Sequence, residues 1–222
     1  MTKGTLEIHS ENILPIIKKW LYSDRDIFVR ELVSNACDAI QKFKILSGQE
    51  NDFKVEVSID KEAKTIRFSD NGIGMSAEEV KKYIAQIAFS GAEDFVQKYQ
   101  TQNEKDQFIG HFGLGFYSAY MVADKVEIDT LSYEEGSKAA FWSCDGSTEY
   151  VLEEGKKEAR GTDITLFINK ESEEFLEEKR LKDVLKHYCS FLPFPVFFGP
   201  EQINSKEPLW MKNPSECTDQ EY

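Results

Sequence analysis

The sequence has no paired cysteines. The four that it carries, Cys37, Cys144, Cys189 and Cys217, stand too far apart for the short spacings of a zinc site or a redox pair, so reduced, mostly buried thiols in a cytoplasm are expected. Histidine is scarce as well: His9, His111 and His187 form no His-Glu-x-x-His pattern, and a transition-metal enzyme is disfavoured. Basic charge falls short of acidic charge. With 27 Lys and Arg against 40 Asp and Glu, the net charge of −13 argues against a dedicated nucleic-acid surface or an anionic-membrane anchor, since both would be repelled. Long apolar runs are missing too. The stretch from Phe108 to Ala123 carries no Asp, Glu, Lys or Arg, yet it is too short and too rich in glycine for a membrane span. Lys3 and Glu7 put charge where a signal peptide needs an apolar stretch, so export is not expected. Proline is nearly absent until the end: Pro193, Pro195, Pro200, Pro208 and Pro214 make five of the six. The closing segment therefore reads as an exit strand and a connector.

What is present is an ordinary globular composition, 41% hydrophobic and 30% charged over 222 residues, enough to bury one sizeable core. Ile13, Ile16, Ile17, Trp20 and Leu21 recur at helical spacing, and Ser23-Asp24 offers a cap for a second helix from about Asp26 to Leu46. Alternation in residues 53–59 and 65–68, joined by a polar connection, predicts a β-hairpin. Ser76 and Glu79 have the spacing of a capping box and open another helix, interrupted at Ser90-Gly91. The polar stretch from Gly91 to Gly110 suits a lid. Further strands are predicted at residues 125–131, 139–143, 148–152 and 162–168, followed by a charged helix over about 172–191. Helices flanking a largely antiparallel sheet predict an α+β, two-layer sandwich with helices on one face.

Three stretches carry chemistry. On a helix, Glu31, Asn35 and Asp38 share a narrow arc beside an apolar arc of Leu32, Ala36, Ala39, Ile40 and Phe43. Glu31 could polarise a water for attack on a γ-phosphate and Asn35 could offer an oxygen to magnesium, although the same stripe also suits a solvated face. In Asp70-Asn71-Gly72-Ile73-Gly74-Met75, glycines let backbone approach a planar ring while a fixed carboxylate accepts a hydrogen bond from an exocyclic amine; a plain hairpin turn is the alternative. Gly110-His111-Phe112-Gly113-Leu114-Gly115-Phe116 precedes an apolar helical stretch through Met121, which can aim free N–H groups at phosphate, or serve as a hinge beside a buried helix. It lacks the Lys-Ser/Thr of a P-loop. Thr162, at a strand entry after Gly161, could add a hydroxyl to an adenine edge. Their co-occurrence in this order makes ATP binding with hydrolysis the leading reading.

Taken together these motifs resemble the GHKL ATPase superfamily, and within it the N-terminal nucleotide domain of heat-shock protein 90 chaperones of the bacterial type. The resemblance runs from residues 4–8 through Ile27 to Ala39, the Asp70 motif, Ser90-Gly91, Gly110 to Tyr120 and Arg160-Gly161-Thr162. It implies the Bergerat fold, with residues 1–207 as the nucleotide domain, an ATP lid over about 85–113, and 208–222 as connector and start of a middle domain. It implies Glu31 as general base and Asn35 as the ligand of Mg2+ carried by ATP. Asp70 would bind the adenine amine, with Gly74, Met75 and Thr162 assisting; Asp38 would wall the adenine side, and the backbone of Gly113, Leu114, Gly115 and Phe116 would hold the phosphates of ATP or ADP. Phe89 stands where many members have lysine, Tyr83 where several have asparagine, and His111 where glutamine is commoner.

The implied activity is that of an ATP-driven dimeric clamp, weakly hydrolytic in this part alone, whose client proteins are held by domains beyond these residues. A histidine-kinase-type catalytic domain is disfavoured because no phospho-acceptor helix precedes the Glu31 motif. A non-catalytic, nucleotide-gated binding module remains the other reading.

Overall fold

Helix α1 forms over Ile27–Ser47, where Phe28, Leu32, Ala36 and Ile40 recur every four residues and all become buried. Upstream, Asp24 Oδ1 accepts the Asp26 N–H at 3.0 Å, and the helix ends at Gly48, whose left-handed backbone lets its N–H donate to the Lys44 carbonyl at 3.0 Å. In this computed structural model the described residues are 24–48, 52–86, 95, 108–109 and 113–204. The expected first strand and first helix, nearly all of the lid, and the segment after residue 204 lie outside them.

The alternating stretch after residue 53 becomes strands β1 (Val55–Asp60) and β2 (Thr65–Asp70), an antiparallel hairpin in register Asp60 with Thr65. Asp60 Oδ1 accepts the N–H groups of Glu62 and Ala63 and so shapes the turn. Beyond them come helix α2 (Ala77–Tyr83), strands β3 (Ala123–Leu131), β4 (Ala140–Cys144), β5 (Val151–Glu154) and β6 (Gly161–Ile168), helix α3 (Glu178–Cys189), and strands β7 (Val196–Phe198) and β8 (Glu201–Gln202). All eight strands join one open sheet in the order β5-β4-β3-β6-β2-β1-β7-β8, antiparallel throughout except for the parallel β1–β7 pair. This is the α+β sandwich that the sequence predicts.

The helices cover the face on which β2 buries Ile66, Phe68 and Asp70, because a strand sends alternate side chains to the same side. Phe28 of α1 lies edge-on to Phe68 (centroids 6.1 Å) and to Phe175 (5.1 Å), locking helix to sheet. Leu181, Val184, Leu185 and Cys189 give α3 its buried face beside α1, and an Arg180–Asp26 ion pair ties the two. Cys37, Cys144 and Cys189 are buried free thiols; burial pushes Cys189 up to about 12 and Cys37 higher still.

Several boundaries and one helix type differ from expectation, among them helix α2, which ends at Tyr83 short of Ser90-Gly91. Strand β5 starts at Val151 rather than 148, because Asp145 and Ser147 accept backbone N–H groups within a polar turn. Residues 170–176 form a 3-10 helix, and the extended backbone of Glu177 separates it from α3, so the charged helix does not start at 172. The apolar stretch over Gly115–Met121 is likewise a 3-10 helix. The capping box at α2 forms as the spacing predicts: Ser76 Oγ accepts the Glu79 N–H at 3.3 Å and Glu79 Oε2 accepts the Ser76 N–H at 2.8 Å. Replacing Ser76 by Ala is expected to cost about 1 kcal/mol in chemical denaturation. No helix among the described residues is long and apolar enough to cross a membrane.

Candidate functional site

Alternation and register place Asp70 in a polar row on the helix-covered face. Asp70 of β2 pairs with Thr162 of β6, and Thr162 pairs with Thr130 of β3, so one carboxylate and two hydroxyls line up across three strands. All three residues are buried. The Asp70 carboxylate accepts the Gly72 N–H at 2.8 Å. Burial nevertheless pushes it up to about 7 from 3.8; the Gly72 N–H, Lys157 and the Thr162 N–H pull it down, and Asp163 adds to the rise. A carboxylate with so little solvent around it is costly to ionise, and a ligand that donates a hydrogen bond to it recovers part of that cost.

Asn71, Gly72, Ile73 and Met75 of the turn after Asp70 are each anchored by hydrogen bonds. Asn71 accepts the Lys54 N–H at 3.0 Å and donates to the Asp52 carbonyl at 2.6 Å, and Gly72 presents its carbonyl to Arg160 Nη1 at 3.1 Å. The Ile73 N–H donates to the Ala39 carbonyl of α1 at 3.0 Å, which docks the turn on the helix one residue past Asp38. Gly74 has φ +66, and a Cβ there would stand 1.8 Å from the Leu131 carbonyl oxygen, so only glycine passes. The Met75 N–H donates to Thr130 Oγ1 at 3.0 Å. A free hairpin turn would need none of these tethers.

The α1 stripe is not a solvated face. Asp38 is buried, and its Oδ1 accepts the Ile109 N–H at 2.9 Å, joining the helix to the end of the predicted lid. Glu31 and Asn35 are half-buried. Glu31 Oε1 accepts from Arg30 Nε at 3.1 Å and Nη2 at 2.6 Å, while its Oε2 faces Gly115: a Cβ on that glycine would come within 2.3 Å of it. The sequence brings Glu31 and Gly115 together only through the fold, since the 3-10 helix packs along α1. Gly113, with φ +62, and Leu114 lead into that helix, and Phe116 is buried against Trp142, 5.8 Å between ring centroids. Residues 110–112, with His111, and Phe89 lie outside the described residues.

Four residues have roles that escape sequence reasoning. Thr130 is fully buried at the β3 end of the polar row. Arg160 both holds Gly72 and lays its guanidinium 3.7 Å over the Phe43 ring, bracing the turn against α1. Lys157 and Asp163 form a 2.9 Å ion pair on the opposite sheet face, directly behind Asp70; burial opposes Asp163 ionisation, but Ser69, Lys157 and Arg67 hold it below its usual value. An arginine beside a Gly-Thr pair and a lysine after a strand ending in two glutamates carry no sequence pattern that points to such work. Among the described residues no cluster of three or more His, Cys, Asp or Glu could hold a metal by itself.

A helix-covered, mostly antiparallel sheet with a buried carboxylate on a tethered glycine turn, a half-buried glutamate on the facing helix and a glycine loop beside it defines a candidate nucleotide site. The family model described as histidine kinase-, DNA gyrase B- and HSP90-like ATPase matches residues 23–173, and the chain belongs to that family. It is 53% identical to the Chaperone protein htpG of Bacteroides fragilis (strain 638R), over 100% of this chain and 35% of that protein. It is 50% identical to the Chaperone protein HtpG of Bacteroides thetaiotaomicron, with the same coverage, and 41% to that of Desulfitobacterium hafniense (strain Y51), over 98% of this chain and 37% of that protein. The chain thus spans little more than a third of the length of these relatives.

Proposed function

We propose that this chain is the nucleotide domain of an ATP-dependent molecular chaperone, binding ATP and ADP and switching a dimeric clamp. The observation that carries the reading is the Asp70 carboxylate, buried, held by the Gly72 N–H and set on a turn fixed to α1 at Ala39. In this reading Asp70 accepts the adenine amine, with Gly74, Met75 and Thr162 around it and Asp38 at the wall. Glu31 removes a proton from the attacking water. The backbone of Gly113 to Phe116 holds the phosphates. Residues 1–207 form the nucleotide domain, 85–113 its lid, and 208–222 begin the next domain.

Magnesium would be held through Asn35 and the phosphates together. A single side-chain amide on a half-buried helix position, with no acidic cage among the described residues, suits a hard cation that keeps most of its ligands from nucleotide and water. Bound there, the ion would neutralise charge on the phosphates; the chain's own part is to orient that amide and to keep Glu31 beside Gly115.

Clients and the second protomer would be engaged mainly by regions beyond these residues, in the cytoplasm, as the likeness to bacterial chaperones supports. The full-length protein is expected to suppress aggregation of a heat-unfolding client in an ATP-dependent manner, and this chain alone to turn ATP over far more slowly. Equal turnover by both would contradict the assignment of a contribution from the rest of the protein.

A further inference from the structure

Thr130 is a buried hydroxyl of the candidate site with every hydrogen-bonding capacity filled by protein. Its exposure is 0%, so water supplies none of its partners. A threonine hydroxyl has one proton to give and two lone pairs to fill. Thr130 Oγ1 accepts the Met75 N–H at 3.0 Å, stands 3.1 Å from the Gly161 carbonyl, and 2.9 Å from Thr162 Oγ1. A carbonyl can only accept, so the Thr130 proton goes to Gly161. The remaining contact then has a fixed direction: Thr162 donates its proton to Thr130.

We infer that Thr130 sets the base specificity of the nucleotide site by fixing Thr162 as an acceptor. With its proton committed to Thr130, Thr162 presents only lone pairs on the strand position paired with Asp70. Two acceptors side by side favour an exocyclic amine, which offers only protons in this plane, and disfavour an oxo group in the same place. Thr130 is a positioning residue here: it acts through Thr162, and it also holds the Met75 end of the adenine turn. The inference rests on the ATP-site reading and sharpens it, from a pocket that binds a nucleotide to one that distinguishes adenine from its oxo counterpart.

The test is calorimetric titration of the full chain with ADP and with inosine diphosphate, in which an oxo group replaces the amine. In Thr130→Val the Thr162 proton is released and can turn toward ligand, so the preference for ADP is expected to shrink by roughly tenfold, the worth of one hydrogen bond. Thr130→Ser, which keeps the hydroxyl, is expected to restore it. In a Thr162→Val background, Thr130→Val is expected to change the preference no further, because its route of action is gone. Thr130→Cys, with a weak donor and acceptor, serves in place of the valine variant if that one does not fold. An unchanged preference in Thr130→Val, with both affinities lowered alike, would leave Thr130 a purely structural residue and overturn the inference. If the unaltered chain binds neither nucleotide, the ATP-site reading itself fails.

Discussion

Asp70→Asn is expected to lower ADP affinity at least roughly a hundredfold, because the charged acceptor is replaced by an amide that turns N–H groups toward the ligand's amine. The same change is expected to leave the fold intact and to favour stability more at about pH 8 than at about pH 5.5. The sign follows from burial. Asp70 is raised from 3.8 to about 7, so between those values the folded chain keeps a proton that the unfolded chain releases. Stability from this group therefore falls as pH rises through that window, and above it the ionised carboxylate costs about 4 kcal/mol relative to the protonated one. Asparagine never ionises. Thermal denaturation of both proteins at the two pH values checks this: the gain in melting temperature on substitution should be larger at the higher pH, and a gain independent of pH would contradict the assigned burial.

Glu31→Ala is expected to reduce ATP turnover by the full-length protein about 10²- to 10⁴-fold while leaving ADP affinity nearly unchanged. Glu31 has a defined place: one oxygen is held by Arg30, the other faces Gly115 in the loop assigned to the phosphates. Removing it deletes a proton acceptor without touching the Asp70 turn. Steady-state phosphate release and a parallel ADP titration separate the two effects. Turnover equal to that of the unaltered protein would remove Glu31 from the chemistry, and a matching loss of ADP affinity would give it a binding role instead.

Both residues were visible in the sequence, as were the elements that carry them, and for a physical reason. The hairpin ending at Asp70 announces itself by alternation, and α1 by apolar residues every four positions, because each buries one face of its own local period. The α2 capping box is readable since Ser76 and Glu79 bond each other within one turn. What depends on distant pairing was not readable from the residues themselves, although the family resemblance implied that Asp70 and Thr162 share the adenine. That β6 slides between β2 and β3, bringing Thr162 beside Asp70 and Thr130 beside Thr162, is decided by packing over more than thirty intervening positions in the latter pair and about ninety in the former. Thr130 is an unremarkable residue in a strand until that order is known.

Arg160 teaches the same lesson on a smaller scale. A charged residue before a strand reads as surface, yet its guanidinium is committed to the Gly72 carbonyl and the Phe43 ring, contacts that exist only once the turn has docked on α1. Helix type also exceeded local reading. The apolar stretch at Gly115–Met121 winds as a 3-10 helix, with Ser118 Oγ donating to the Gly115 carbonyl at 2.6 Å within the helix and the Tyr117 hydroxyl donating to the distant Ile84 carbonyl at 2.6 Å.

The central claim is that Asp70 reads a purine amine as an ionised carboxylate in a buried site, and titration calorimetry of this chain with ADP across pH tests it most directly. The account predicts saturable binding to one site, strengthening as pH rises through the neighbourhood of about 7, with proton release on binding below that value. Absence of ADP binding at every pH, or an affinity that does not change when Asp70 is replaced by asparagine, would contradict it.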